Sequence, residues 1–175
     1  NDIIVENADE GNDTVRSSVR YVLGDNVENL VLTGDDYQDG IGNDLDNVIT
    51  GNSYGNYMEG GYGNDTLIGG PGDDSLWGDE GDDVLISCRN IPGEYWYADY
   101  LNGGAGNDTL YITEGIGVIE YYGVDEVYLD NGYRGGTGSD LFIVTRDAAG
   151  TPYVSLESNE WGTWFESYNS IIDFD

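Results

Sequence analysis

With 35 Asp plus Glu against five Lys plus Arg and no His, this chain of 175 residues carries a formal charge of −30. So few cations exclude nucleic acid and anionic membrane surfaces as partners, since both are bound through Lys and Arg, and no run of 18 apolar residues is present to insert in a membrane. Such charge opposes compaction, yet 38% of the residues are hydrophobic; the chain has core material and lacks a counter-ion, for which a divalent cation with hard oxygen ligands is the natural candidate.

The chain opens at Asn1 without Met or a leader pattern and closes on IIDFD, so it reads as a segment of a longer protein. ADEGNDTVR, from Ala8, sets Gly11, Asp13 and Val15 in an order that recurs further on, and YVLGDNVENLVLTG spans Tyr21–Gly34. A nine-residue period then begins: GNDLDNVIT from Gly42, GNSYGNYME from Gly51, GGYGNDTLI from Gly60, GGPGDDSLW from Gly69 and GDEGDDVLI from Gly78. The shared pattern is Gly, Gly or Asp, any, Gly, Asn or Asp, Asp, any, Leu, any. Asn47 and Asn56 stand where later units have Asp. Ser87–Gly93 (SCRNIPG) reads as a seven-residue insertion, and its Cys88, the one cysteine, as a free thiol. EYWYADYLN from Glu94 keeps Asp99 and Leu101 without any glycine, whereas GGAGNDTLY from Gly103 is a full unit. EYYGVDEVY from Glu120 keeps Gly123, Asp125 and Val127, and GGTGSDLFI from Gly135 keeps Asp140 and Phe142.

A period of nine fits neither a helix face nor a simple amphipathic strand; it divides into six turn residues and three strand residues. Glycine lets the turn enter positive φ and aim carbonyl oxygens inward, and the Asp at position 6 adds a carboxylate. The x-Leu-x triplet is a minimal strand whose middle side chain faces inward. Ile49, Met58, Leu67, Leu76, Leu85, Leu101, Leu110 and Phe142 are therefore expected to stack as a thin core. Two units make one coil with strands on opposite faces, so Asp65 stacks over Asp83, Asp83 over Asp108, and Asp74 over Asp99 once Ser87–Gly93 loops out. Strands lie about 4.7–4.9 Å apart, and carboxylates so close repel by about 4 kcal/mol per pair at an intermediate dielectric. A cation between stacked turns reverses that sign, which makes binding and folding one equilibrium.

These units resemble the repeats-in-toxin (RTX) family of hemolysin-type calcium-binding proteins. Tyr21–Gly34 with Gly42–Ser53 is similar to the lead-in before such repeats, and Gly135–Val144 with IIDFD to the end of such a block. The resemblance implies an all-β, right-handed parallel β-roll or β-helix of calcium-binding nonapeptide repeats, with irregular aromatic-rich insertions. It also implies type I secretion by a bacterium, calcium-triggered folding outside the cell, and several Ca2+ ions. Position-6 aspartates are the family's ligands, which carries over to Asp65, Asp74, Asp83 and Asp108, and further to Asp13, Asp99, Asp125 and Asp140. The expected organisation is a lead-in over 1–41, a core roll over 42–111 with the insertion at 87–93, and degenerate repeats with a cap over 112–175.

Without His there is no His-based triad and no imidazole ligand, and the acidic pairs are too regular for a hydrolase dyad, so the segment reads as no enzyme. Its function reads as a structural, adhesin or surface-layer element, secreted or on the cell surface. The alternatives are a binding module or an accessory domain of a secreted hydrolase or epimerase. Tyr95, Trp96, Tyr97 and Tyr100 either cover an edge of the roll or stack on a cell-surface polysaccharide or another surface protein. Trp161, Trp164, Phe165 and Tyr168 are expected to cap the last coil, and no outward Thr ladder suggests ice binding. Calcium affinity is expected on the order of 10⁻⁴–10⁻³ M.

Overall fold

A computed structural model of the chain describes residues 4–8, 11–88, 99–113, 117–121, 124–128, 133–137, 141–145 and 152–157, with the backbone alone from residue 112 onward. All regular structure among these residues is β. Through the first eleven strands, successive strands go to opposite sheets, as a coil of two short units requires. One sheet holds β1 (Thr14–Ser17), β3 (Asn29–Leu32), β5 (Val48–Thr50), β7 (Thr66–Ile68), β9 (Val84–Cys88), β11 (Thr109–Thr113), β15 (Leu141–Thr145) and β16 (Pro152–Glu157), in that spatial order. The other holds β2 (Tyr21–Val22), β4 (Gln38–Ile41), β6 (Asn56–Tyr62), β8 (Ser75–Glu80), β10 (Tyr100–Ala105) and β14 (Tyr133–Thr137). Neighbours in these two sheets run parallel except at β16, which turns back antiparallel on β15. The result is a β-solenoid of the β-roll kind.

Register shows how the units stack. Ile49 pairs with Leu67 and Leu67 with Leu85, so each coil takes two of the nine-residue units. Across β9 and β11 Leu85 pairs with Leu110, and across β8 and β10 Leu76 pairs with Leu101; both steps exceed two units by the length of the insertion. Ser87 and Cys88 still pair with Ile112 and Thr113, so the extra residues enter after Cys88. The next step, from Leu110 to Phe142, is longer again and carries a separate antiparallel hairpin, β12 (Gly117–Tyr121) with β13 (Val124–Tyr128). The Glu120 unit therefore does not continue the parallel stack. Tyr95, Trp96, Tyr97, Asp140, the four aromatic residues of the expected cap and the closing IIDFD lie outside the described residues.

The interior is one side chain wide on each sheet. Ile49, Met58, Leu67, Leu76, Leu85, Leu101 and Leu110 are all fully buried. The stack continues into Val15, Leu23, Val27, Leu30 and Leu32, so the N-terminal strands share the same core. Each fully buried leucine contributes roughly 1.5–3 kcal/mol relative to exposure. Neighbours above and below in a solenoid cannot collapse sideways into a gap, so truncation is costly. In saturating calcium, Leu76→Ala should lower unfolding free energy by about 2–5 kcal/mol, measured by denaturant titration. A loss below about 1 kcal/mol would contradict a packed one-residue core.

Candidate metal centre

The turn of each nine-residue unit ends on its position-6 residue, and these are buried: Asp65, Asp74, Asp83 and Asp108 are each 1% exposed, Asp99 3%, Asn47 1% and Asn56 0%. Burying so many carboxylates is costly unless something satisfies them. One oxygen of each is satisfied by a neighbouring coil. The Asp65 N–H donates to Asp83 Oδ1 at 2.7 Å, Asp83 N–H to Asp108 Oδ1 at 2.9 Å, and Asp74 N–H to Asp99 Oδ1 at 2.9 Å. Asn47 N–H reaches Asp65 Oδ1 at 2.7 Å and Asn56 N–H reaches Asp74 Oδ1 at 2.8 Å. Stacked carboxylates thus cap the N–H that leads into a strand one coil away. At the N-terminal end Glu28 takes the same part, its Oε2 accepting from Asp13 N–H at 2.8 Å.

The second oxygen is different. Oδ2 of Asp13, Asp65, Asp74 and Asp83 is buried and accepts no hydrogen bond. In the repeat units it folds back over the first glycine of its own turn: a Cβ built on Gly60 would stand 2.3 Å from Asp65 Oδ2, on Gly69 2.4 Å from Asp74 Oδ2, and on Gly78 2.3 Å from Asp83 Oδ2. Carbonyl oxygens crowd the same turns. Gly61 and Gly63 lie over the Asn43 and Leu45 carbonyls, where a Cβ would come within 2.7 Å of each oxygen. Only glycine fits so close to backbone. Among the described residues no three His, Cys, Asp or Glu side chains converge, so any cation here takes a carboxylate or two plus turn carbonyls. That is an all-oxygen, hard donor set, and calcium, which accepts about six to eight oxygens in flexible geometry, fits it.

Electrostatics point the same way. Burial, reinforced by Asp83 and opposed by the Asn47 N–H bond, raises the Asp65 carboxyl to about 7. Burial and then Asp99 raise Asp74 to about 7, and burial raises Asp83 to about 6 against the Asp65 N–H bond. All three start from 3.8, so without metal the folded state holds protons that the unfolded chain releases. Their stabilising contribution is full below 3.8 and lost as pH rises through 6 to 7. Chelated protein should therefore gain β-structure by circular dichroism on going from about pH 8 to about pH 5, where a proton replaces the cation. Loss of structure on that acidification would contradict the buried carboxyls.

Of the remaining sequence candidates, Asp13 is half-buried ahead of β1. Asp125 sits in the β12–β13 hairpin opposite Glu120, in a sheet separate from the two parallel ones. Two features escaped the sequence reading. One is the capping by Oδ1. The other is an outer ladder of position-5 residues along one edge: Asn64 N–H donates to Asp46 Oδ1 at 2.7 Å, Asp82 N–H to Asn64 Oδ1 at 2.8 Å, and Asn107 N–H to Asp82 Oδ1 at 2.8 Å. The recurrence of Asn or Asp at position 5 was the available signal.

Parallel strands, six-residue glycine turns and buried position-6 aspartates define a β-roll of calcium-binding nonapeptide repeats. The family model described as the RTX calcium-binding nonapeptide repeat (4 copies) matches residues 41–76, 50–85 and 96–118, so the chain carries repeats of that kind over these stretches. The first two matches are offset by nine residues, one unit, and the third resumes beyond the insertion. No curated protein and no solved structure matches the chain.

Proposed function

We propose that this chain is a calcium-binding module of a secreted or cell-surface bacterial protein, exported by a type I system, which folds as calcium binds. In this reading it serves as a structural, adhesin or surface-layer element and carries no catalysis of its own. Asp65, Asp74, Asp83, Asp99 and Asp108 supply carboxylates to several ions shared between stacked turns, with Asp13 at the N-terminal end. The lead-in of 1–41, the roll of 42–111 and the cap of 112–175 are its parts. One observation carries the proposal: in the buried aspartates Asp65, Asp74 and Asp83 one oxygen caps a strand and the other faces a glycine-lined turn without a donor. Circular dichroism tests it directly. Calcium should convert a largely unordered chelated chain at pH 8 to a β spectrum, and a β spectrum indifferent to strong chelation would end the proposal.

A second reading, retention of a cell-surface glycan, is favoured by Trp77 and Tyr100, whose rings lie 5.0 Å apart on one sheet face at 39°. Flat rings so placed can stack on a sugar. Here Trp96→Ala or Trp77→Ala weakens retention on a polysaccharide column and leaves calcium-induced folding intact; absence of retention by the unaltered chain would dispose of it.

A further inference from the structure

The two units that carry Asn at position 6 are not weaker copies of the others. Their turns are closed by side-chain amides. Asn43 Nδ2 donates to the Gly24 carbonyl at 2.7 Å and to the Val27 carbonyl at 2.8 Å, and Asn52 Nδ2 donates to those of Gly34 at 3.0 Å and Asp36 at 2.9 Å. Each amide spans two carbonyls of the preceding coil, the kind of oxygen pair a cation would otherwise draw together. Their own Oδ1 atoms are also used, accepting from Leu45 N–H at 2.9 Å and Tyr54 N–H at 2.8 Å. The position-6 residues follow suit. Asn47 Oδ1 accepts from Asn43 N–H at 2.7 Å and Asn56 Oδ1 from Asn52 N–H at 2.9 Å, while their amides donate to Val27, Glu28 and Gln38 carbonyls.

One coil later the same places are occupied differently. Position 2 is now Gly61 or Gly70, with no side chain to reach the Asn43 and Asn52 carbonyls beside it, which would lie 2.7 Å and 2.5 Å from a Cβ. Position 6 is Asp65 or Asp74, and its Oδ2 has no donor. A neutral amide supplies donors to carbonyls and needs no counter-charge; a carboxylate supplies only acceptors and adds charge. The amide side chains of the Asn turns therefore need no positive partner, although the Asn47 and Asn56 N–H groups reach forward to Asp65 and Asp74 Oδ1, and the Asp turns are short of one.

We infer that Asn43, Asn47, Asn52 and Asn56 stand in for calcium, so that the coils from β3 to β6 form a metal-independent platform on which the calcium-dependent coils from β7 onward assemble. The inference rests on the calcium-coupled folding proposed above. It gives the roll a direction: a preformed sheet edge on each face, contributed by β5 and β6, templates β7 and β8 as the ion arrives. The core of the platform is already continuous, since Val15, Val27, Leu30, Leu32, Ile49 and Met58 are buried together.

Hydrogen–deuterium exchange of the full chain, read by peptide mass spectrometry in excess chelator and in excess calcium, tests this. In chelator, amides of Asn29–Leu32 and Gln38–Ile41 stay protected while those of Thr66–Ile68, Val84–Cys88 and Thr109–Thr113 exchange freely. Calcium at roughly 100 times its dissociation constant slows the latter group by roughly a hundredfold or more and leaves the former nearly unchanged. Asn43→Gly with Asn52→Gly, which restores the glycine of later units, makes protection of Gln38–Ile41 calcium-dependent. Loss of protection throughout the unaltered chain in chelator, with recovery in calcium, overturns the platform and leaves calcium-coupled folding standing. Protection throughout in chelator overturns calcium-coupled folding itself, and the contrast with it. A double variant as well protected in chelator as the unaltered chain removes the amides from the account.

Discussion

Replacing Asp83 by alanine is expected to raise the calcium concentration needed for folding by about tenfold or more, equivalent to about 1.4 kcal/mol or more. It should also leave the roll less stable when calcium is saturating. Asp83 has two separate tasks. Its Oδ1 caps Asp65 N–H at 2.7 Å, and its Oδ2 faces the turn at Gly78. Alanine removes both, leaving a buried N–H unsatisfied at a cost of about 1–3 kcal/mol and withdrawing an anionic ligand. Asparagine separates the two, because it retains an amide oxygen for the cap and gives up the charge. Asp83→Asn should therefore share the weaker calcium response, yet retain more of the thermal stability at saturating calcium than Asp83→Ala. Calcium titrations followed by circular dichroism, with melting curves at the end point, measure both quantities. An alanine variant whose calcium midpoint stays within twofold of the parent's would remove Asp83 from the site.

Gly81→Ala should be as damaging as a core truncation, although nothing is lost from the core. Gly81 sits at φ +139°, and a Cβ there would stand 1.8 Å from the Gly63 carbonyl oxygen and 2.6 Å from its carbon. Backbone angles unfavourable to L-residues cost about 1–2 kcal/mol alone, and here the obstacle is backbone of the preceding coil, which no rotamer avoids. Relief requires the coils to part at this turn, where Gly81 N–H also donates to the Ala105 carbonyl at 2.8 Å. The expected loss is more than about 2 kcal/mol, the lower end for a buried leucine cut to alanine. Tyr62→Ala, at a site 60% exposed, is the matched control, expected within about 0.5 kcal/mol of the parent. Equal unfolding midpoints for the two variants in calcium would mean that the coils are not packed this closely.

Much of this architecture is legible in the order of residues because the period is short and the same residue types recur at the same positions. Leu67, Leu76 and Leu85 announce an inward column by recurring at one place in three tandem units, and the coil is twice that spacing. The N-terminal core was harder to read. Val15 pairs with Leu30 and Leu30 with Ile49, steps that match neither each other nor the regular coil of the later units, so no fixed period marks Val15, Leu23, Val27, Leu30 and Leu32. The Glu120 unit misled for the opposite reason. It keeps Gly123, Asp125 and Val127 in pattern, but Val118 and Val127 pair across an antiparallel hairpin, where strand alternation satisfies the same apolar spacing.

The site was legible as a set of aspartates and opaque as chemistry. Spacing brings Asp65 over Asp83, but it cannot tell that one oxygen of each carboxylate is consumed as a cap and only the other is free to meet an ion. Nor does it distinguish an Asn that has lost a ligand from an Asn that supplies donors. Asn43 and Asn52 look like ordinary departures from glycine until their amides are seen bridging two carbonyls each. Hydrogen-bond direction separates these cases, and it depends on the stacked coil, which lies about two units away in sequence.

Anomalous diffraction from crystals of the chain grown in ample calcium addresses the central claim most directly. Metal peaks are expected within about 2.3–2.6 Å of Oδ2 of Asp65, Asp74 and Asp83 and of turn carbonyls, and none between Asn43 and the Gly24 and Val27 carbonyls. Well-ordered aspartate turns without metal beside Asp65 and Asp83 would contradict that claim.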